Sequence, residues 1–224
     1  MRKLACILSV AALCAATTVA ATDSYGWEDG VGTILGSYGN LVDPTNVSGP
    51  QQGQAGSEPD FTCPGPNSGE RYLHVAEEPQ YSTPQAYIAW IIGLADGDTI
   101  DASFFGYDVT AGSSPSLRIW GHYTTSDDIE NFQGSASGSD LYTTGIGWEQ
   151  LSHTWTFDSD GGARDALVVE ARLYSTPSTG ENRTDYFIDD VSVTAPDGAT
   201  IIFAPEPSSL LLLGLGLVGL LRRR

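Results

Sequence analysis

In the middle of the chain apolar residues recur at every second position, and this period constrains the fold more than any other feature. Arg71-Tyr72-Leu73-His74-Val75 alternates polar and apolar, as do Leu117-Arg118-Ile119-Trp120-Gly121-His122-Tyr123 and Val169-Glu170-Ala171-Arg172-Leu173. A repeat of two puts one face of an extended strand in the core and the other in water. Tyr87 to Leu94 is a more continuous apolar run, Thr99 to Val109 is rich in aromatic and small residues, and Trp148 to Phe157 and Tyr186 to Thr194 complete the set. Clusters such as Asp96-Gly97-Asp98 and Asp158-Ser159-Asp160-Gly161-Gly162 punctuate these runs as turns. No amphipathic helix pattern and no internal repeat is evident. About eight strands, each with one apolar face, predict two sheets packed face to face. The expected fold is all-β, an antiparallel β-sandwich of jelly-roll type. Residues 40–67, rich in Gly, Pro, Gln and Ser, are expected as a long surface loop with at most one short strand.

The two ends read as addresses. Arg2 and Lys3 precede an apolar run from Leu4 to Leu13, and small residues follow to Ala20-Ala21. This is the anatomy of a secretory signal peptide, with cleavage expected after Ala20 or Ala21. Cys14 follows Leu13 rather than a small residue, so a lipid-modified cysteine is not expected. At the other end, Pro205-Glu206-Pro207 is followed by an apolar stretch from Leu210 to Leu221 and then by Arg222-Arg223-Arg224. As a helix this stretch spans about 18 Å at roughly 1.5 Å per residue, against a bilayer core of about 30 Å. It suits a transient membrane hold better than a permanent anchor, with the arginines kept on the cytoplasmic side. The expected organisation is signal peptide 1–21, one domain 22–204 and sorting segment 205–224.

Charge narrows the partners. All 28 acidic residues except Glu206 fall in the domain, against five arginines and no lysine, a net charge of −22. Such a surface repels phosphate backbones and anionic lipid, so nucleic acid is excluded, while divalent cations and neutral polymers remain. Cys6 and Cys14 leave with the signal peptide, so Cys63 has no partner within the domain; it either pairs between chains or is a buried inert thiol.

Alternation also proposes a binding face. If Leu117 and Ile119 point inward, Arg118, Trp120 and His122 point outward together, and Glu170, Arg172 and Tyr174 share an outward face by the same argument. An indole flanked by hydrogen-bonding side chains suits a sugar, whose apolar face packs on the ring while polar groups read its hydroxyls. Arg118, Trp120, His122, Arg172 and Tyr174 are therefore the candidate ligand-binding residues, in a shallow groove if the two strands are neighbours. Trp90, Trp148 and Trp155 are expected in the core, whereas Trp27 suits either role. No Gly-x-Ser-x-Gly elbow occurs, and His74, His122 and His153 lack zinc spacing. Catalysis is not expected.

The C-terminal segment, with motif, apolar run and basic end in order, resembles the PEP-CTERM sorting domain. That resemblance implies recognition by a membrane protease-transpeptidase, an exosortase, near Pro205-Glu206-Pro207, and delivery to the cell surface or the extracellular polysaccharide matrix. Tyr25-Gly26-Trp27-Glu28-Asp29-Gly30, Gly69 to Val75, Ser103-Phe104-Phe105, Gly147 to Ser152, Thr154 to Phe157 and Tyr186-Phe187-Ile188-Asp189-Asp190-Val191-Ser192-Val193 together resemble the galactose-binding-like jelly rolls. Many carbohydrate-binding modules belong to that group. The resemblance implies a structural calcium held by Glu28 and Asp189, with Asp190 or Glu70 helping. The adjacent Asp189 and Asp190 carboxylates repel one another, which a cation relieves. The expected role is a non-catalytic exported protein associating with extracellular polysaccharide. A calcium-stabilised structural matrix protein is the alternative, and a surface glycan hydrolase the third reading.

Overall fold

The computed structural model describes residues 20–53, 61–80, 83–108, 116–174 and 183–204. The signal peptide up to residue 19 and the sorting segment 205–224 lie outside the described residues. The first strand begins at Ala21, where cleavage is expected.

The strands are β1 (Ala21–Tyr25), β2 (Gly36–Tyr38), β3 (Leu41–Ser48), β4 (Gln51–Gly53), β5 (Phe61–Cys63), β6 (Arg71–Glu77), β7 (Gln85–Ile92) and β8 (Thr99–Asp108). After them come β9 (Leu117–Thr124), β10 (Ser135–Ser137), β11 (Glu149–Thr156), β12 (Ala166–Leu173), β13 (Thr184–Ala195) and β14 (Thr200–Ile202). Apart from one 3-10 turn at Asp160–Gly162, no helix occurs among the described residues. The first sheet runs β11-β8-β13-β6-β3, with β1 also on β13, and the second runs β10-β9-β12-β7-β14, with β2 also on β7. All these pairs are antiparallel. From β6 to β9 each strand crosses to the opposite sheet, the path of a jelly roll.

The period of two is what joins the sheets. Leu73 and Val75 on β6, Ile100, Ala102 and Phe104 on β8, and Leu151 and Trp155 on β11 face Ile88 and Ile91 on β7, Leu117 and Ile119 on β9, and Leu167, Val169 and Ala171 on β12 in one core. Gly121 makes room for this packing, since a side chain there would come 3.2 Å from the Trp155 ring and from the Val168 carbonyl oxygen. β13 changes phase within the core. Tyr186 and Ile188 point inward, then Asp189 and Asp190 interrupt the register, and Val191, Val193 and Ala195 resume. Asp190 has φ 49°, the local backbone signature of this bulge.

Three expectations change. Residues 40–67 are not a long loop: β3 pairs with β6, and β4 pairs with β5 in a separate ribbon. Polarity concealed β3 because it is an edge strand whose polar groups are met by residues distant in sequence. Asn46 Nδ2 donates to the Trp27 carbonyl at 2.8 Å, and Asp43 accepts from Arg183 Nη1 at 2.8 Å. The ribbon covers a second apolar cluster of Cys63, Tyr72 and Phe187 on the outer face of the first sheet. Trp90 is not a core residue; it is half-buried on the outer face of β7 and donates to Thr124 Oγ1 at 3.1 Å. Trp148 is not a core residue either: it is half-buried against the second cluster, whereas Trp155 joins the core as expected and Trp27 is fully buried. Cys63 is buried, and desolvation pushes its thiol up, which fits the inert reading rather than an exposed thiol.

Phe104 lies at 0% exposure in the middle of β8. Phe104→Ala is expected to remove about 3–5 kcal/mol of stability, read as a lower urea midpoint with unchanged slope.

Candidate functional site

β9 and β12 are neighbours, with Glu170 opposite Trp120 and Arg172 opposite Arg118. On its other side β12 meets β7, where Glu170 lies opposite Tyr87 and Arg172 opposite Gln85. Val169 pairs with Ala89, so the register shifts by one residue, Ile88, between those two contacts. Ile88 and Ala89 both turn into the core. The bulge thereby aims Tyr87 outward beside Glu170. The outer face of these three strands forms a cleft of about 570 Å³. Trp120, His122, Glu170, Arg172 and Tyr87 line it from the sheet, and Tyr38, Glu130, Phe132 and Ser135 line it from flanking segments. Tyr38 and Phe132 are 59% and 63% exposed, unusual for rings not already packed.

The floor is polar and tightly bonded. His122 Nδ1 lies 2.5 Å from Glu170 Oε1, with both residues buried. The Tyr87 and Phe132 rings stand 4.9 and 5.6 Å from the imidazole. Desolvation pushes the Tyr87 phenol up, with the charges of Glu130 and Glu170 adding to it. Trp120 Nε1 donates to Ser135 Oγ at 2.9 Å, and the Arg172 guanidinium lies over the indole at 4.8 Å. Glu170 Oε2 and Arg172 Nε are buried without a hydrogen-bond partner among the described residues. A buried polar atom left unpaired costs about 1–3 kcal/mol, so these two residues of the cleft carry an acceptor and a donor whose hydrogen-bonding capacity is unmet among the described residues.

Of the residues expected from sequence, Trp120, His122 and Arg172 come together here. His122 is on the expected face but is buried and tied to Glu170 rather than open to solvent, and Trp120 carries an arginine on its ring. Arg118 and Tyr174 share that face but do not line the cleft; they stack on each other at 4.8 Å. Sequence reasoning missed Tyr38, Tyr87, Glu130 and Phe132. Alternation along β7 would have found Tyr87 but for the extra residue in that strand, whereas the flanking residues carry no local signal. A second groove, on the outer face of the first sheet, is lined by Asp101, Ser103, Gln150, Ser152, Thr154, Ser192 and neighbours, with no Trp, Tyr or Phe.

Glu28, Asp189 and Asp190 gather around the Gly26–Glu28 turn: a side chain at Gly26 would meet Asp190 Oδ1 at 3.5 Å and Asp189 Oδ1 at 3.6 Å. Their oxygens already accept hydrogen bonds. Asp189 Oδ2 takes the Asn67 and Ser68 N–H groups at 2.8 and 3.2 Å, Asp190 takes Asn67 Nδ2 and Ser68 Oγ, and Glu28 takes the N–H groups of Glu70 and Arg71. Glu70 offers its main chain here. Among the described residues no three or more His, Cys, Asp or Glu side chains converge as a metal-binding group. The donor set still fits a hard cation chemically, being all oxygen. Burial, with the charge of Asp190 next, raises the Asp189 carboxyl to about 7 against the pull of three N–H donors.

Residues 204–224 match the PEP-CTERM protein-sorting motif. The chain carries this signal and is exported to the cell surface or extracellular matrix by the route the signal defines. Curated proteins give no match. Among solved structures, the chain is similar to the CBM22-1 xylan-binding domain of Xyn10C from Paenibacillus barcinonensis, at 12% identity and TM-score 0.42, covering 80% of this chain and 97% of that one. The CBM22-2 xylan-binding domain of the same enzyme gives 15% identity and TM-score 0.42, with 77% and 98% covered. The CBM22-1–GH10 modules of xylanase 10B from Clostridium thermocellum, complexed with xylohexaose, give 16% and 0.40, with 84% and 29% covered. The ligand of this chain is inferred from its own residues.

Asp189 sets a pH dependence. A carboxyl raised from the ordinary value to about 7 holds its proton in the folded chain where the unfolded chain has lost it. Stability from this group therefore falls as pH rises from about 4 to about 7. In chelator, thermal melts across that range should fall more steeply for the wild type than for Asp189→Asn. Equal slopes would contradict the assignment.

Proposed function

We propose that the domain is a non-catalytic module that binds neutral extracellular polysaccharide in the β7–β12–β9 cleft. The observation that carries this is that two enclosed, unpartnered atoms, Glu170 Oε2 and Arg172 Nε, belong to residues of a cleft also lined by the exposed rings of Tyr38 and Phe132. A sugar hydroxyl donates to the carboxylate, another accepts from the guanidinium, and the flanking rings pack on the apolar faces of successive units. Trp120, anchored to Ser135, fixes the plane of Arg172. Two carboxylates, Glu130 and Glu170, line the cleft beside a single arginine, Arg172, in a domain of net charge −22, which favours neutral over uronate-rich polymers. Arg118 and Tyr174 extend the same face and would contact a longer chain. An exosortase then processes the tail near Pro205-Glu206-Pro207 after the apolar stretch has held the protein at the inner membrane, with Arg222, Arg223 and Arg224 on the cytoplasmic side. A calcium ion held by Glu28, Asp189 and Asp190 would tie the β1–β2 turn to β13. The raised Asp189 carboxyl supports this reading, because a cation offsets the repulsion between the paired acids. If the cleft binds no glycan, the calcium-stabilised matrix protein becomes the better reading.

Titration calorimetry with soluble neutral polysaccharides, xylan among them, and with a uronate-rich polymer tests the cleft. Phe132→Ala changes an exposed ring and should leave the melting temperature within a degree or two. Glu170→Gln keeps shape but weakens the acceptor. Each is expected to weaken neutral-polymer binding at least tenfold, equivalent to about 1.4 kcal/mol. Tight binding retained by both variants, or preference for the uronate polymer, would contradict the proposal.

A further inference from the structure

Two neighbouring residues of opposite charge, Arg164 and Asp165, hold the two ends of the segment that carries Glu130 and Phe132 into the cleft. β9 ends at Thr124 and β10 begins at Ser135, which pairs with His122. Residues 125–134 between them fold back on themselves. The Asp128 N–H donates to the Thr125 carbonyl and the Asn131 N–H to the Asp128 carbonyl, both at 3.2 Å, and Asn131 Nδ2 donates to Thr125 Oγ1 at 3.0 Å. A side chain at Gly36 on β2 would meet Glu130 Oε1 at 2.5 Å and Tyr87 Cδ2 at 2.7 Å, so the tip reaches from β9 over β12 and β7 to β2. That is three strand spacings, about 14 Å. Asp127, Asp128, Glu130, Asn131 and Phe132 are all exposed, so burial does little to hold the tip there.

Bonds to β9 itself fix the return of the segment: the Gln133 N–H donates to the Tyr123 carbonyl and the Tyr123 N–H to the Gly134 carbonyl, both at 2.8 Å. Further ties come from the turn between β11 and β12. At the start of the segment, Asp165 Oδ1 accepts the Ser126 N–H and Asp165 Oδ2 the Ser126 hydroxyl, each at 2.7 Å. At its end, Arg164 Nη1 donates to the Gln133 carbonyl at 3.2 Å. The guanidinium is fixed in turn. Its Nε donates to the Asp158 carbonyl at 2.6 Å, its Nη2 to Asp158 Oδ2 at 2.8 Å, and its carbon lies 3.9 Å from the centre of the Tyr123 ring. Neither Arg164 nor Asp165 lines the cleft. A segment ordered before the ligand arrives does not have to be ordered by binding, which raises affinity without any new contact. We propose that Arg164 and Asp165 are positioning residues for glycan recognition. By pinning both ends of residues 125–134 they hold Phe132 over His122 and Glu130 beside Tyr87, and so set the width of the cleft in advance. This rests on the glycan reading of the cleft.

The test uses the full chain and has one arm without ligand. The Phe132 and His122 rings, 5.6 Å apart between centres, are expected to show a nuclear Overhauser contact in the wild type. Arg164→Met keeps a side chain over Tyr123 but no donor, and is expected to lose that contact. Ser126→Ala, which removes one bond to Asp165 from an exposed turn, is expected to weaken it and serves if Arg164→Met does not fold. In calorimetry with soluble xylan, Arg164→Met is expected to bind at least about threefold more weakly than the wild type. In the Phe132→Ala background the same change is expected to alter affinity by less than about 1.5-fold, because the ring it positions is gone. The proposal is overturned if both variants keep the ring contact and the affinity, or if Arg164→Met costs as much affinity without Phe132 as with it. A wild type that binds neither xylan nor another soluble neutral polysaccharide overturns the glycan reading, and the recognition role with it. Loss of the ring contact would then still establish that the pair positions Phe132.

Discussion

The fold depends on β13. This strand of twelve residues pairs with β8 on one side and with β6 and β1 on the other, and β11 and β3 reach it through β8 and β6. Its inward residues supply the centre of one core face. Its bulge at Asp189–Asp190 lets one strand serve two partners on the same edge: β6 along the first half and β1 along the second. The bulge also collects the carboxylates that meet the Gly26–Glu28 turn. Packing, edge pairing and the acidic corner thus follow from the path of a single strand.

The cleft has an analogous origin on the other sheet. β12 is central there, as β13 is in the first, and its outward side changes from apolar at Ala166 and Val168 to charged at Glu170 and Arg172. Glu170 and Arg172 occupy two of those positions; Glu170 is buried to 1% exposure, and Arg172 is half-buried with its Nε enclosed. Burial makes their unpartnered atoms informative, because on an open surface water would satisfy both. The His122–Glu170 contact holds one carboxylate oxygen in place, and the other is enclosed without a partner among the described residues.

How far the sequence could be read follows from which interactions are local. Alternation in Leu117–Tyr123 and Val169–Leu173 correctly separated Leu117 and Ile119 from Trp120 and His122, since facing is a property of one strand. Register is not local. Nothing in the order of residues says that Glu170 meets Trp120, or that Arg172 covers the indole expected to be bare. The extra residue in β7 hid Tyr87 by breaking the period, and it sent Trp90 to the outer face where the core was expected. β3 was hidden for another reason: an edge strand buries little, so its partners Arg183 and Trp27, far away in sequence, decide its conformation.

The central claim is that a neutral glycan occupies the cleft on the β7–β12–β9 face. The most direct measurement is a nuclear magnetic resonance titration of the isotope-labelled protein with a neutral oligosaccharide, following indole and amide signals assigned on both sheets. The account predicts that the Trp120 indole N–H and the amides around Glu170 and Phe132 shift together with one saturation curve, while Gln150 and Ser192 on the opposite face stay fixed. Shifts confined to the Gln150–Ser192 groove, with Trp120 and Glu170 unmoved, would contradict it.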